Sequence, residues 1–156
     1  MRALIVCGLA LVLAGCGGAL SRVGAGAAPT AVTGLPLGEA PALRLASGQC
    51  ALALWTRAEP AMRVAIAVSA PAELHIRLDG REMTLARTAS EGEPMFGHAP
   101  SQTWSADGVT LAMTATLAAR DGMVGGAVAE DGMLVLTDRD GQEISIPVAG
   151  LVACQG

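Results

Sequence analysis

Lysine, asparagine and tyrosine are missing from this 156-residue chain, and its aromatic side chains are Trp55, Phe96 and Trp104 alone. Ten arginines stand against 14 acidic groups, a formal charge of −4, so no basic surface is available to a polyanion. Three rings build no stacking platform for single strands, and nucleic acid is excluded as a partner. The three missing residue types use AT-rich codons, whereas the 31 alanines use GC-rich ones. Base composition therefore accounts for the all-arginine cations, which are not read as selection for phosphate or carboxylate recognition. Long apolar runs are also missing: residues 3–13 make an uncharged stretch about half as long as the ~20 residues of a membrane helix. At 52% hydrophobic and 15% charged, the chain is too apolar for a disordered polyelectrolyte, and its length suits one domain.

Met1 and Arg2, the apolar run and then Leu13-Ala14-Gly15-Cys16 have the layout of an export signal. The last four residues resemble the lipobox of bacterial lipoproteins. That resemblance implies diacylglyceryl transfer to the Cys16 thiol, cleavage before Cys16 and acylation of the new amino terminus. The rival is an ordinary secretory peptide with an incidental Cys16. Residues 1–15 are then a signal peptide, and the chain from Cys16 onward carries a formal charge of −5. With no polybasic patch, acyl chains at about 0.8 kcal/mol per buried methylene must supply the membrane anchor. Gly17 after the cysteine resembles outer-membrane cargo, which implies a periplasm-facing outer-membrane location, with the inner membrane or cell surface as alternatives.

Residues 17–47 are rich in Gly, Ala, Pro, Ser and Thr and almost uncharged. They read as a flexible tether following the lipidated Cys16, the alternative being a short strand or turn at 42–46. Residues 48–156 form the domain. Cys7 leaves with the signal peptide, and Cys50 and Cys154 are expected to pair in an oxidising compartment. A closed loop of about 100 residues is worth roughly 4.7 kcal/mol in the chain-entropy model. A metal thiolate site or two free thiols are the alternatives, and the first lacks further ligands at suitable spacing.

Five of the six aspartates precede glycine, at 79, 107, 121, 131 and 140. Asp-Gly is the type I′ hairpin dipeptide, because both central residues need positive φ. A turn at Asp79-Gly80 sets Ile76 opposite Met83, Leu74 opposite Leu85, Arg77 opposite Glu82 and His75 opposite Thr84. A turn at Asp107-Gly108 sets Trp104 opposite Leu111, Ala106 opposite Val109 and Ser105 opposite Thr110. Around Asp140-Gly141 a loop of two or four residues, four being preferred, puts Met133, Val135, Ile144, Ile146 and Val148 on one face. Residues 50–57 and 62–69 add strands, the latter with Met62, Val64, Ile66 and Val68 on one face. About eight short strands predict an all-β domain, a single antiparallel barrel or sandwich, with an interior thinned by alanine.

Turn geometry accounts for the aspartates without catalysis. Asp138, Asp140 and Glu143 faintly echo a calcium loop but lack its ligand spacing. His75 reads as solvated on a polar strand face. Residues 89–103 are the one long irregular stretch, and they hold Glu91, Glu93, Phe96, His98 and Ser101. These five are candidates for partner or ligand contact. Ser101, His98 and a carboxylate are the ingredients of a nucleophilic site, but no nucleophile elbow or oxyanion loop accompanies them. Phe96 is expected to fold onto the core. Gly122 to Gly126 open no helix, so phosphate cradling is not expected. No catalytic residue, metal or cofactor is assigned.

Cys50, Leu78-Asp79-Gly80, Leu85, Ser90-Glu91-Gly92, Trp104 and Cys154 loosely resemble the membrane-bound inhibitors of c-type lysozyme. The resemblance implies a small disulfide-linked antiparallel barrel that inserts a loop bearing a Ser and a Lys into the enzyme cleft. Ser90 matches the serine, while the lysine and the family's tyrosine have no counterpart. Cys50-Ala51-Leu52-Ala53-Leu54-Trp55 and the 147–154 ending look more like uncharacterised proteobacterial lipoproteins. The expected function is a lipid-anchored, non-catalytic binding or accessory module meeting an envelope protein. An inhibitor of a wall hydrolase and a small hydrolase using the 89–103 loop are the alternatives.

Overall fold

The computed structural model describes residues 34–156. The export signal, the lipobox and Cys16 lie outside the described residues. Nine strands follow in order: β1 Leu37–Gly38, β2 Cys50–Thr56, β3 Arg63–Val68, β4 Glu73–Leu78, β5 Arg81–Glu91, β6 Ser101–Ala106, β7 Val109–Ala118, β8 Gly126–Thr137 and β9 Glu143–Cys154. From β2 onward each strand pairs antiparallel with the next, and β9 returns to β2, closing an eight-stranded up-and-down barrel. Of the two architectures expected, the barrel is therefore the one formed, and closure leaves these strands no free edge. β1 adds a short pairing to β4, where Leu37 faces Leu78 beyond the start of β3.

Two hairpins obey the dipeptide logic pair for pair. Asp79 and Gly80 take φ of 48° and 77°, and Asp107 and Gly108 take 51° and 78°. All seven facing pairs expected around them are present. Arg77 and Glu82 form an ion pair at 2.7 Å. The disulfide joins Cys50 to Cys154, which face each other across the β2–β9 seam. It clamps the place where the first and last barrel strands meet.

The last hairpin differs from expectation. Asp138 N–H donates to the Gln142 carbonyl and Gly141 N–H to that of Asp138, so three residues form the loop. Asp138 Oδ1 accepts from the N–H groups of Asp140 and Gln142, and Gly141 has φ of 80°. An odd loop slips the register by one residue and turns over the β8 side chains that lie between the loop and the bulge at Asp131-Gly132. Leu134 and Leu136 thus face Ile146 and Ile144 inside, and Met133 lies outside, 37% exposed. Asp131-Gly132 is no turn but a bulge within β8, and a Cβ on Gly132 would sit 2.8 Å from the Val148 oxygen.

A bulge also changes the facing of β3. The register against β2 shifts between Leu54 and Trp55, and beyond it Ala65 and Ala67 oppose the inward Leu54 and Leu52. Ile66 and Val68 consequently point outward, yet both are buried. The chain before β2 runs along the outside of the barrel. Ala40 N–H bonds the Arg63 carbonyl and Gly48 N–H the Gln155 carbonyl, so residues 41–47 must cross the outer wall from one barrel end to the other. Pro41, Leu43 and Leu45 alternate as half-buried residues along this strap. Residues 34–47, read from sequence as tether, thus contain β1, the fully buried Leu37 and this strap.

The interior is a continuous cluster that includes Leu52, Leu54, Leu74, Ile76, Leu85, Trp104, Leu111, Leu134, Leu136 and Val152. Eight strands enclose a space that side chains of this size fill, so the barrel is a packed core rather than a channel. Its two ends are consequently where chemistry is presented. The turns at 79–80, 107–108 and 138–142 form one end. The disulfide and the connections 69–72, 92–100 and 119–125 form the other.

Candidate functional site

The irregular stretch expected at 89–103 is shorter than read, because β5 continues past a bulge between Arg87 and Ala89 to Glu91, where it pairs with Ser101. Glu91 and Ser101 are therefore ladder residues, and the loop proper is 92–100. Within it Met95 and His98 exchange two backbone hydrogen bonds, of 2.8 and 3.0 Å, around a two-residue turn. Phe96 and Gly97 occupy that turn with φ of 53° and 80°. This is the I′ geometry again, now with phenylalanine where Asn or Asp is the usual choice. Phe96 is 39% exposed and stands outside the core cluster, rather than folding onto the core as expected.

Four contacts hold this turn down as a lid over the disulfide end. Arg87 donates to the Gly97 carbonyl and to Gln102 Oε1, both at 3.1 Å. The buried Gln102 amide passes the connection on to the Ala99 carbonyl at 3.1 Å. Gly97 lies so close to Ser69 that a Cβ would approach the serine Cβ to 2.7 Å. Ala115 N–H donates to the Pro100 carbonyl at 2.8 Å. Sequence reasoning missed Ser69, Arg87 and Gln102. Their one advance sign is Gln102, a polar residue at an inward position of an alternating strand.

His98 is fully buried beneath the lid, and neither ring nitrogen has a hydrogen-bond partner. Burial lowers its pKa from 6.5 to about 4; the nearby Cys50 backbone opposes that shift and the Arg87 guanidinium adds to it. The ring is thus neutral at pH 7. It has no contact with Ser101 through which to take a proton, and Glu91 and Glu93 are exposed on the rim. The five candidate residues therefore share one end of the barrel without forming a serine–histidine–carboxylate constellation. His75, in contrast, lies on the outer wall between Glu73 Oε2 at 3.7 Å and Thr84 Oγ1 at 3.2 Å.

The opposite end carries two adjoining clefts. One of about 590 Å³ has an apolar floor of Leu78, Met83 and Val109 beneath Asp79, Asp107, Asp138, Asp140, Arg81 and Arg139. The other, of about 440 Å³, lies between Leu35, Pro36, Leu136 and Ile144. Arg139 Nε donates to the Asp107 carbonyl at 2.9 Å, bracing the two turns together. Neither cleft includes a residue of the lid. Among the described residues no group of three or more His, Cys, Asp or Glu is placed to hold a metal ion. Among the described residues no helix is long and apolar enough to cross a membrane. No protein-family model, curated protein or solved structure matches the chain.

Proposed function

We propose that the chain is a lipid-anchored envelope lipoprotein, held at the outer membrane through Cys16 and facing the periplasm, whose barrel is a non-catalytic binding or accessory module. Its contact is the lid turn, offered by Phe96 to an envelope protein. The observation that carries the reading is the Phe96 backbone: a bulky residue at φ 53° that is left 39% exposed. Left-handed backbone costs an ordinary residue of order 1 kcal/mol, and such strain concentrates at functional sites. The exposed part of the side chain also forgoes burial energy that would offset the strain. Glu91 and Glu93 beside the turn supply an acidic rim around the aromatic anchor, an arrangement suited to a protein partner.

The test is in-cell cross-linking of the tagged full chain in its own envelope, comparing it with Phe96→Asn and Cys16→Ser. Recovery of one stoichiometric protein by the unaltered chain, lost in Phe96→Asn and diminished in Cys16→Ser, is the expected result. Equal recovery by Phe96→Asn overturns the placement of the contact.

An inhibitor of a lysozyme-like wall hydrolase is the second reading, favoured by the exposed Phe96, Glu91 and Glu93 that the same loop region presents. Inhibition of lysozyme by the unaltered chain, abolished by Phe96→Asn, distinguishes it from an accessory module.

A further inference from the structure

We propose that the 92–100 lid is an acid-released latch, in which protonation of the His98 ring detaches the lid from the disulfide end of the barrel. This regulates the surface assigned above to partner contact, but the latch itself needs no partner. His98 is fully buried with both ring nitrogens unpartnered, so its neutral form serves there as apolar filling. A charged ring in the same place has no carboxylate to pair with, and the Cys50 backbone alone favours it. From β5 it faces Arg87, a second cation already committed to Gly97 and Gln102. From β2 it meets the Cys50 backbone, which is close enough to favour the charged form but outside hydrogen-bonding geometry. From β6 comes Gln102, whose amide is spent on Arg87 and Ala99. Glu91 and Glu93 are exposed, and neither forms an ion pair with the ring.

A buried imidazolium without a carboxylate must reach water, and the lid is the element that can move to allow it. The barrel wall beside it is tied by complete strand ladders and the Cys50–Cys154 bridge, whereas the lid is tied by a few side-chain and backbone bonds. His98 binds its proton with a pKa of about 4 when covered and 6.5 when free. The sign follows from linkage: the lid-open state takes up more protons, so acid favours it below pH 6.5 until the covered ring also protonates near 4. Opening is then about 30-fold more favourable at pH 5 than at pH 8.

Hydrogen exchange on the full, disulfide-intact chain, normalised for the intrinsic pH dependence of exchange, measures this directly. Amides of 95–99 should lose about 30-fold of their protection between pH 8 and pH 5, while those of Leu52 and Val152 at the seam keep theirs. His98→Leu should leave lid protection level across that range. The ring signal of His98 in the unaltered chain provides the second measurement and must titrate in step with lid opening. Unchanged lid protection, joint loss of lid and seam protection, a persisting response in His98→Leu, or a ring that stays neutral while the lid opens overturns the latch. None of these outcomes involves a partner, so failure here and failure of the Phe96 contact are separable.

Discussion

Cys50 and Cys154 face each other as Cα partners across the seam between β2 and β9, joined by a disulfide over 104 residues of sequence. The bridge therefore closes nearly the whole domain as one covalent ring. Its removal should act mainly on the unfolded chain, by releasing loop-closure entropy worth roughly 4.7 kcal/mol. Urea denaturation of Cys50→Ala/Cys154→Ala against the oxidised protein should show a loss of about 3–5 kcal/mol. A loss under about 1 kcal/mol would contradict this role of the seam.

Phe96→Asn should raise stability by about 0.5–1 kcal/mol, because Asn-Gly is the preferred I′ pair and Phe96 is 39% exposed outside the core cluster. Thermal unfolding checks it. A gain in stability combined with loss of the partner is the signature of a residue kept for contact rather than for folding.

Leu134→Ala and Met133→Ala separate the two possible registers of the last hairpin. Leu134 is wholly buried opposite Ile146, and Met133 is exposed opposite Pro147. Truncating the first should cost about 2–5 kcal/mol, and truncating the second within about 0.5 kcal/mol. The reverse order in chemical denaturation is what a loop of even length would give.

Leu37→Ala should cost about 2–4 kcal/mol, although Leu37 precedes the disulfide-bounded region by thirteen residues. A chain shortened to begin at residue 48 should lose at least as much, since it forfeits both β1 and the half-buried strap of residues 41–47. Equilibrium unfolding that matches the full chain would show that residues 34–47 add nothing to the barrel.

These same places mark the limit of what the sequence reveals. Asp79-Gly80 and Asp107-Gly108 fix their hairpins because a two-residue I′ turn admits one register, and the facing pairs confirm it by type. Near Asp140-Gly141 the pattern is ambiguous: Met133 and Val135 are as apolar as Leu134 and Leu136, so alternation cannot choose a face and loop parity decides. In β3 every residue from Val64 to Val68 is apolar, which hides the bulge that sends Ile66 and Val68 outward. The 34–47 segment looks like linker because its strand is two residues long and its strap packs through scattered leucines. In the candidate site, the residues of the lid were legible from composition. Their arrangement was not, because the lid that holds His98 is fastened by Arg87, Gln102 and Ser69, which come from three other parts of the chain.

The anchor is the premise on which the envelope reading stands, and the intact mass of the protein extracted from its own membranes tests it most directly. The account predicts a chain beginning at Cys16, heavier than the peptide by its diacylglyceryl and amino-terminal acyl groups, and a soluble unmodified product in Cys16→Ser. A mature chain that begins elsewhere, or one that carries Cys16 as a free thiol, would contradict it.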